Sequence, residues 1–233
     1  RFLVDLENVS DETGLVAVQG PKAVDVLSRM TSERISELPS FYSAEIPVGG
    51  VKMIVSRTGY TGEDGFELWL PAEHAQDIWM ELLSKGQDFG IIPCGLGARD
   101  SLRLEAGLSL YGHEIGDNTN PYEARLGWVT KLDKGDFIGR TALIGPSQHV
   151  DRRIAGFKRP ERGKSPRSET PIVYKDQEVG KIVSGVYSPT LGVGIGTGFV
   201  PTELSRKSGT RVDLKFGEEL HEAQITPLPF YRR

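Results

Sequence analysis

Hydrophobic positions recur along this chain with two different spacings. Residues 14–20, Gly-Leu-Val-Ala-Val-Gln-Gly, predict a short buried strand that ends at a glycine turn. Pro21 suits the first turn of a helix, where its missing N–H costs nothing, and Ala23, Val24, Leu27 and Met30 then share one helical face. Two strand-like runs, 43–47 and 51–57, flank Gly49-Gly50, which signals a hairpin. A glycine-rich stretch over 58–65 leads into a period-two segment. There Phe66, Leu68 and Leu70 face one way, and Glu67 and Trp69 the other. Over 72–85 the period becomes helical, with Ala75, Ile78, Trp79, Leu82 and Leu83 as the stripe and Gly86 placed to end it. A second helix is predicted from Leu96 to Ala106, closing at Gly107, with Arg99 and Arg103 on one face.

From about residue 150 the helical spacing disappears. Short β-like runs over 153–157, 171–174, 178–184, 194–200, 210–216 and 221–226 alternate with turn residues, which argues a small antiparallel barrel or sandwich. The predicted fold class is therefore α+β. Antiparallel sheet and packed helices occupy residues 1–148, and a small antiparallel β-barrel occupies 149–233. The closely spaced glycines of 192–196 read as flexible barrel backbone, since no dinucleotide-type strand, spacing and helix surrounds them. The chain opens on Arg1-Phe2-Leu3-Val4-Asp5 rather than Met, as if entering a strand, and is read as part of a longer protein.

Composition narrows the function classes. A net charge of −4, from 28 Lys+Arg against 32 Asp+Glu, argues against a nucleic-acid partner. The basic cluster of Arg152, Arg153, Lys158, Arg159, Arg162, Lys164 and Arg167 reads as a solvated loop, with docking to an acidic partner as the sharper alternative. No apolar stretch approaches the roughly 18 residues of a membrane span, and no secretory leader is read. The single Cys94 excludes an internal disulfide and, in its apolar setting, reads as a small buried filler. Metal-ligand spacing, a nucleophile elbow and a phosphate loop are not found.

Two residues stand out chemically. Glu67 lies on a strand beside Trp69, just past a glycine-rich loop that carries Tyr60. An ionised carboxylate can accept two parallel N–H donors, such as those on the edge of an aminopyrimidine, and aromatic neighbours add stacking area. A solvated strand glutamate is the plain alternative. Arg99 either decorates the surface beside Asp100 or Glu105, or aims its fork at a ligand carbonyl or carboxylate.

Longer motifs carry a resemblance. Residues 57–67 read R-T-G-Y-T-G-E-D-G-F-E, and 93–107 read P-C-G-L-G-A-R-D-S-L-R-L-E-A-G. With L-Y-G-H-E over 110–114, D-F-I-G over 136–139 and the opening 15–22, these resemble, in order, the segments of the T-protein of the glycine cleavage system and its folate-binding relatives. The resemblance implies a tetrahydrofolate-dependent aminomethyltransferase of glycine catabolism and one-carbon metabolism, with tetrahydrofolate as co-substrate and lipoylated H-protein as partner. It implies that Glu67 binds the pterin ring, Tyr60 lines the same pocket and Arg99 contacts the folate. The family's catalytic aspartate lies before the segment matching residues 15–22, so no residue here takes that role. Weak folate binding and little transfer activity are expected of the chain as it stands. A monomer is expected, cytoplasmic in a bacterium or in the mitochondrial matrix of a eukaryote. The rivals on the same scaffold are a folate-dependent demethylase, the folate domain of a dimethylglycine- or sarcosine-oxidising enzyme, and a non-catalytic folate-binding protein of iron–sulfur assembly. The Cys-bearing motif of the last has no counterpart in this sequence.

Overall fold

The computed structural model describes residues 3–232, which cluster by contact into two units divided between residues 95 and 96. In the first, strands β1 (Thr13–Gln19), β2 (Ser43–Val48), β3 (Val51–Ser56) and β4 (Gly65–Pro71) form one antiparallel sheet in the order β1-β4-β3-β2. Its inner face is the alternating apolar set read from the sequence. Val16 and Val18, Ile46 and Val48, Met53 and Val55, and Phe66, Leu68 and Leu70 pack against α1 (Ala23–Leu27) and α2 (Ala75–Lys85). α2 contributes Ile78 and Leu82, while Trp79 of its predicted stripe is exposed. Residues 72–74 form a 3-10 turn ahead of it. α1 is shorter than its apolar spacing suggests, but Met30 beyond it is still buried.

The sheet's other face carries Leu15, Trp69 and Ile54 directly opposite one another across three strands, each about half exposed. Glu67 shares this face, between Ala17 and Ser56. The period-two pattern of β4 thus sorts its side chains as the sequence indicates. The strand entry expected at residues 1–5 falls partly on Arg1 and Phe2, outside the described residues; Leu3 to Asp5 hold no regular structure.

In the second unit, α3 (Leu96–Glu105) precedes α4 (Arg140–Gln148) and a closed six-stranded antiparallel barrel. The barrel strands are β5 (Arg152–Lys158), β6 (Pro171–Tyr174), β7 (Gln177–Ser188), β8 (Val193–Pro201), β9 (Arg211–Phe216) and β10 (Glu219–Thr226), with a short α5 (Thr202–Ser205) after β8. They close in the order β10-β5-β8-β7-β6-β9 around Phe157, Ile172, Ile182, Leu214 and Ile225. The barrel expected from the strand spacing is present. α4 was not expected: Gly145 and Pro146 interrupt its pattern, although Pro146 lies inside the helix.

Two sequence readings are corrected. Cys94 is exposed rather than a buried filler, because the segment from Ile92 to Gly97 lies at the surface. Arg159 is only 5% exposed rather than part of a solvated loop, and its Nη1 donates to the Lys164 carbonyl at 2.8 Å. The glycines near 194 lie in barrel backbone, as read, and they are closely covered. Gly194 and Gly196 are buried in β8, and a Cβ on either would come within 3.0 and 3.1 Å of the Pro166 ring. A Cβ on Gly185, paired with Gly196 in β7, would lie 2.3 Å from the Pro166 carbonyl oxygen. Those strand positions are glycine because the 159–169 loop lies directly on them.

Candidate functional site

The glycine-rich loop before β4 is held at both ends. Arg57, just past β3, makes a two-pronged contact with Asp64, Nε to Oδ1 at 3.0 Å and Nη2 to Oδ2 at 2.7 Å. Its remaining nitrogen donates to the carbonyls of Ser36 and Leu38 at 3.0 and 2.8 Å, and the guanidinium stands over the Phe66 ring. The hydrogen bond to Asp64 raises the Arg57 pKa, and the same bond lowers that of Asp64. Both charged forms are therefore favoured by this geometry.

Gln19, the last residue of β1, fixes the loop from the other side. Its Nε2 donates to the carbonyls of Thr58 and Phe66 at 3.1 and 3.2 Å. The amide lies so close that a Cβ on Gly59 would stand 1.8 Å from its Oε1, and one on Gly65 would stand 2.7 Å from the Val18 carbonyl oxygen. Two of the glycines in this stretch are thus required by close approach, and Gly62 by its φ of +76°.

Clamped this way, the loop sets Thr58 against β4, and the Thr58 hydroxyl donates to Glu67 Oε2. Glu67 is half-buried on the open side of the sheet, with Trp69 two residues on along the same face. Tyr60 lies within the clamped loop, half-buried. Tyr60 and Glu67 therefore belong to one loop-and-strand unit. Arg99 belongs to the second unit, exposed on the first turn of α3. A cleft of about 680 Å³ on the first unit is lined by Ile54 and Trp69 but not by Tyr60 or Glu67.

The comparisons with known proteins bear on this arrangement. Residues 1–134 match the GCVT N-terminal domain, and residues 152–232 match the glycine cleavage T-protein C-terminal barrel domain. The chain belongs to the glycine cleavage T-protein family. It is 47% identical to the aminomethyltransferase of Chloroherpeton thalassium and 41% identical to that of Caldanaerobacter subterraneus subsp. tengcongensis. Those alignments cover 99% and 100% of this chain but 63% and 62% of the relatives, so the chain spans less than two thirds of their length. The solved structure of glycine cleavage system aminomethyltransferase T from Bartonella henselae is similar, with a TM-score of 0.83 at 33% identity over 94% of this chain and 60% of that one.

Within this T-protein family chain, the block around Arg99 also holds buried charges. Arg103 is 2% exposed and reaches Asp100 at 2.7 Å, Glu114 at 3.3 Å and the Ser184 hydroxyl of β7 at 2.9 Å. Thr197 of β8 donates to Glu114, as does the Leu110 amide at 2.9 Å. Glu105, 1% exposed, accepts from Ser188 at 2.6 Å and from the Thr190 hydroxyl at 2.8 Å. Arg103 and Glu105 thus pin α3 to the barrel. The sequence could not show this, because the partners lie 81 to 85 residues away. Placing Arg103 beside Arg99 on one helix face was the available signal, but it does not distinguish a buried arginine from an exposed one. Among the described residues no cluster of His, Cys, Asp and Glu could hold a metal ion, and no helix is long and apolar enough to cross a membrane.

Proposed function

We propose that the protein is the aminomethyltransferase of a glycine cleavage system. In that reaction the carbon carried by the reduced lipoyl arm of H-protein passes to tetrahydrofolate. The carbon–sulfur bond and the carbon–nitrogen bond of the aminomethyl group break. Two bonds form from that carbon to folate nitrogens, whose protons leave with the thiol and with ammonia, and the product is 5,10-methylenetetrahydrofolate. The observation that carries the reading is Glu67: a half-buried carboxylate on an open sheet face, held by Thr58 at the foot of a clamped loop bearing Tyr60. A carboxylate fixed this way offers its acceptors to an aminopyrimidine edge without losing side-chain entropy on binding. In this reading Glu67 orients the pterin, Tyr60 lines its ring and Arg99 contacts the folate. Their work is positioning, which can supply several kcal/mol of barrier reduction.

The same reading sets a domain boundary at 148/149, in the interval between the two matched segments and between the end of α4 and the start of β5. It also assigns H-protein to an exposed basic surface that includes Arg162 and Arg167, and it expects a monomer in the bacterial cytoplasm or the mitochondrial matrix. Calorimetric titration of tetrahydrofolate against the parent chain and Glu67→Ala tests the central claim. Binding lost in the variant supports it. Equal binding by both removes Glu67 from the site. If the parent gives no heat, the same titration on a chain as long as the relatives decides the folate assignment.

A further inference from the structure

The second unit gathers three arginines around one cleft and gives them little to neutralise. The cleft, about 590 Å³, is lined by Arg125, Arg153 and Arg206 together with Tyr122, Trp128 and His149. A smaller cleft of about 220 Å³ shares the same three arginines. The carboxylate lining the larger cleft is Glu203, itself 84% exposed and 4.0 Å from Arg206. His149 already faces Asp151 at 3.1 Å. Among the described residues, no carboxylate forms an ion pair with Arg125 or Arg153, and Arg153 Nε is buried without a hydrogen-bond partner. Burial lowers the Arg153 pKa, and repulsion from Arg125 and Arg206 lowers it further. A cation in that position is missing a counter-charge.

The cleft is built rather than accidental. Its walls are tied by the Ile154 amide to the Glu123 carbonyl at 2.8 Å, by Leu126 to Pro121 at 2.7 Å and by Thr202 to Asp151 at 2.9 Å. Arg125 sits at a φ of +62°, left-handed backbone that glycine adopts freely and that costs a residue with a Cβ about 1 kcal/mol or more. An arginine kept at a position suited to glycine points to a use for its side chain. Trp128, 72% exposed, lines the same cleft, as does Tyr122.

We propose that this cleft binds a small multivalent oxyanion, one carrying two or more phosphate or carboxylate groups, through the guanidinium forks of Arg125 and Arg153 with Arg206 at the edge. Guanidinium forks match the paired oxygens of both groups, and the volume suits a small organic ligand. The site is independent of the folate reading, since neither Glu67 nor Tyr60 takes part.

The test is titration of the full chain with pyrophosphate, ADP and citrate at low ionic strength, followed by calorimetry and by tryptophan fluorescence. One saturable site that weakens with added salt is expected. Pyrophosphate or ADP without citrate would identify a phosphoryl ligand, and citrate alone a polycarboxylate. Arg125→Gly is the decisive variant, because glycine fits the backbone there. Its melting temperature should equal or exceed the parent's, while affinity falls by about tenfold or more, the loss of one charge-assisted hydrogen bond. Arg153→Met should weaken binding at least as much, and Arg162→Ala should leave it unchanged. No saturable binding of any of the three anions overturns the proposal. So does affinity kept within about twofold in Arg125→Gly, or affinity lost only in Arg162→Ala.

Discussion

The loop before β4 and the turn of α3 are the two most charged motif stretches of this T-protein family chain, and they use charge in opposite ways. In the first, Arg57 and Asp64 satisfy each other and leave Glu67 at an open face, where the Thr58 hydroxyl donates to it. In the second, Arg103 and Glu105 are sealed inside the unit, each bonded to hydroxyls of the barrel or its loops. Both stretches carry the family's motif residues. One arrangement presents a carboxylate; the other spends its charges on holding a helix to a barrel. Motif density alone does not separate a binding site from a scaffold. The degree to which each charge is already satisfied does.

The largest effect should come from breaking the buried side of that comparison. Arg103→Ala leaves Glu114 buried without its cation, and loss of one partner of a buried pair costs about 3–5 kcal/mol. Thermal unfolding should show a fall of many degrees. An unchanged melting temperature would mean that Arg103 contributes nothing at this position.

Next comes Gly65→Ala. A Cβ there lies 2.7 Å from a backbone carbonyl of β1, so the strand pair itself must shift. A loss of about 1–3 kcal/mol is expected, in the range for overpacking. Gly59→Ala should cost less, because there the clash is with the Gln19 side chain, and Gln19→Ala should partly rescue it.

Acid should then probe the clamp. The Asp64 pKa is lowered by Arg57, so the clamp's contribution is fully present above the unfolded carboxylate value, about 3.9, and is lost as pH falls through the lower folded value. Asp64 is 40% exposed, so solvent screening keeps the contribution small. Melting temperatures of the parent and Asp64→Asn should converge below about pH 4. A constant gap down to pH 2 would assign the difference to something other than this ion pair.

The smallest effect is expected from Glu67→Gln. It keeps the shape and the Thr58 contact while removing a charge from a half-buried site, so stability should change by less than about 1 kcal/mol even as tetrahydrofolate binding falls. A large loss of stability instead would move Glu67 from the presenting class into the scaffolding one.

Much of the fold was legible because it rests on local pattern. The six barrel strands, the Gly49-Gly50 hairpin and the alternation of Phe66, Leu68 and Leu70 are all set by neighbours one to four residues apart. α4 was missed because Pro146 and Gly145 disguise its spacing. Within the candidate site, the loop and Glu67 were readable as a motif, but the reason for its glycines was not. That reason is Gln19, 39 and 47 residues away from the carbonyls it holds. Arg159 and Arg153 read as members of a basic run, yet one is tucked under the loop and the other lines a cleft.

The glycine track under Pro166 has a consequence for how the barrel exchanges its amides with solvent. Strand glycines normally leave a ladder thinly covered, and such amides open and exchange early. Here the ring that covers Gly194 and Gly196 belongs to a residue with no N–H of its own, so laying it over the strand glycines adds no donor in need of a partner. The 159–169 loop therefore acts as a roof over the β7–β8 ladder. Trimming it around Pro166 should speed exchange of the β7–β8 amides it covers, while the other face of β8, where Val193 and Ile195 pack with Leu104, stays as it was.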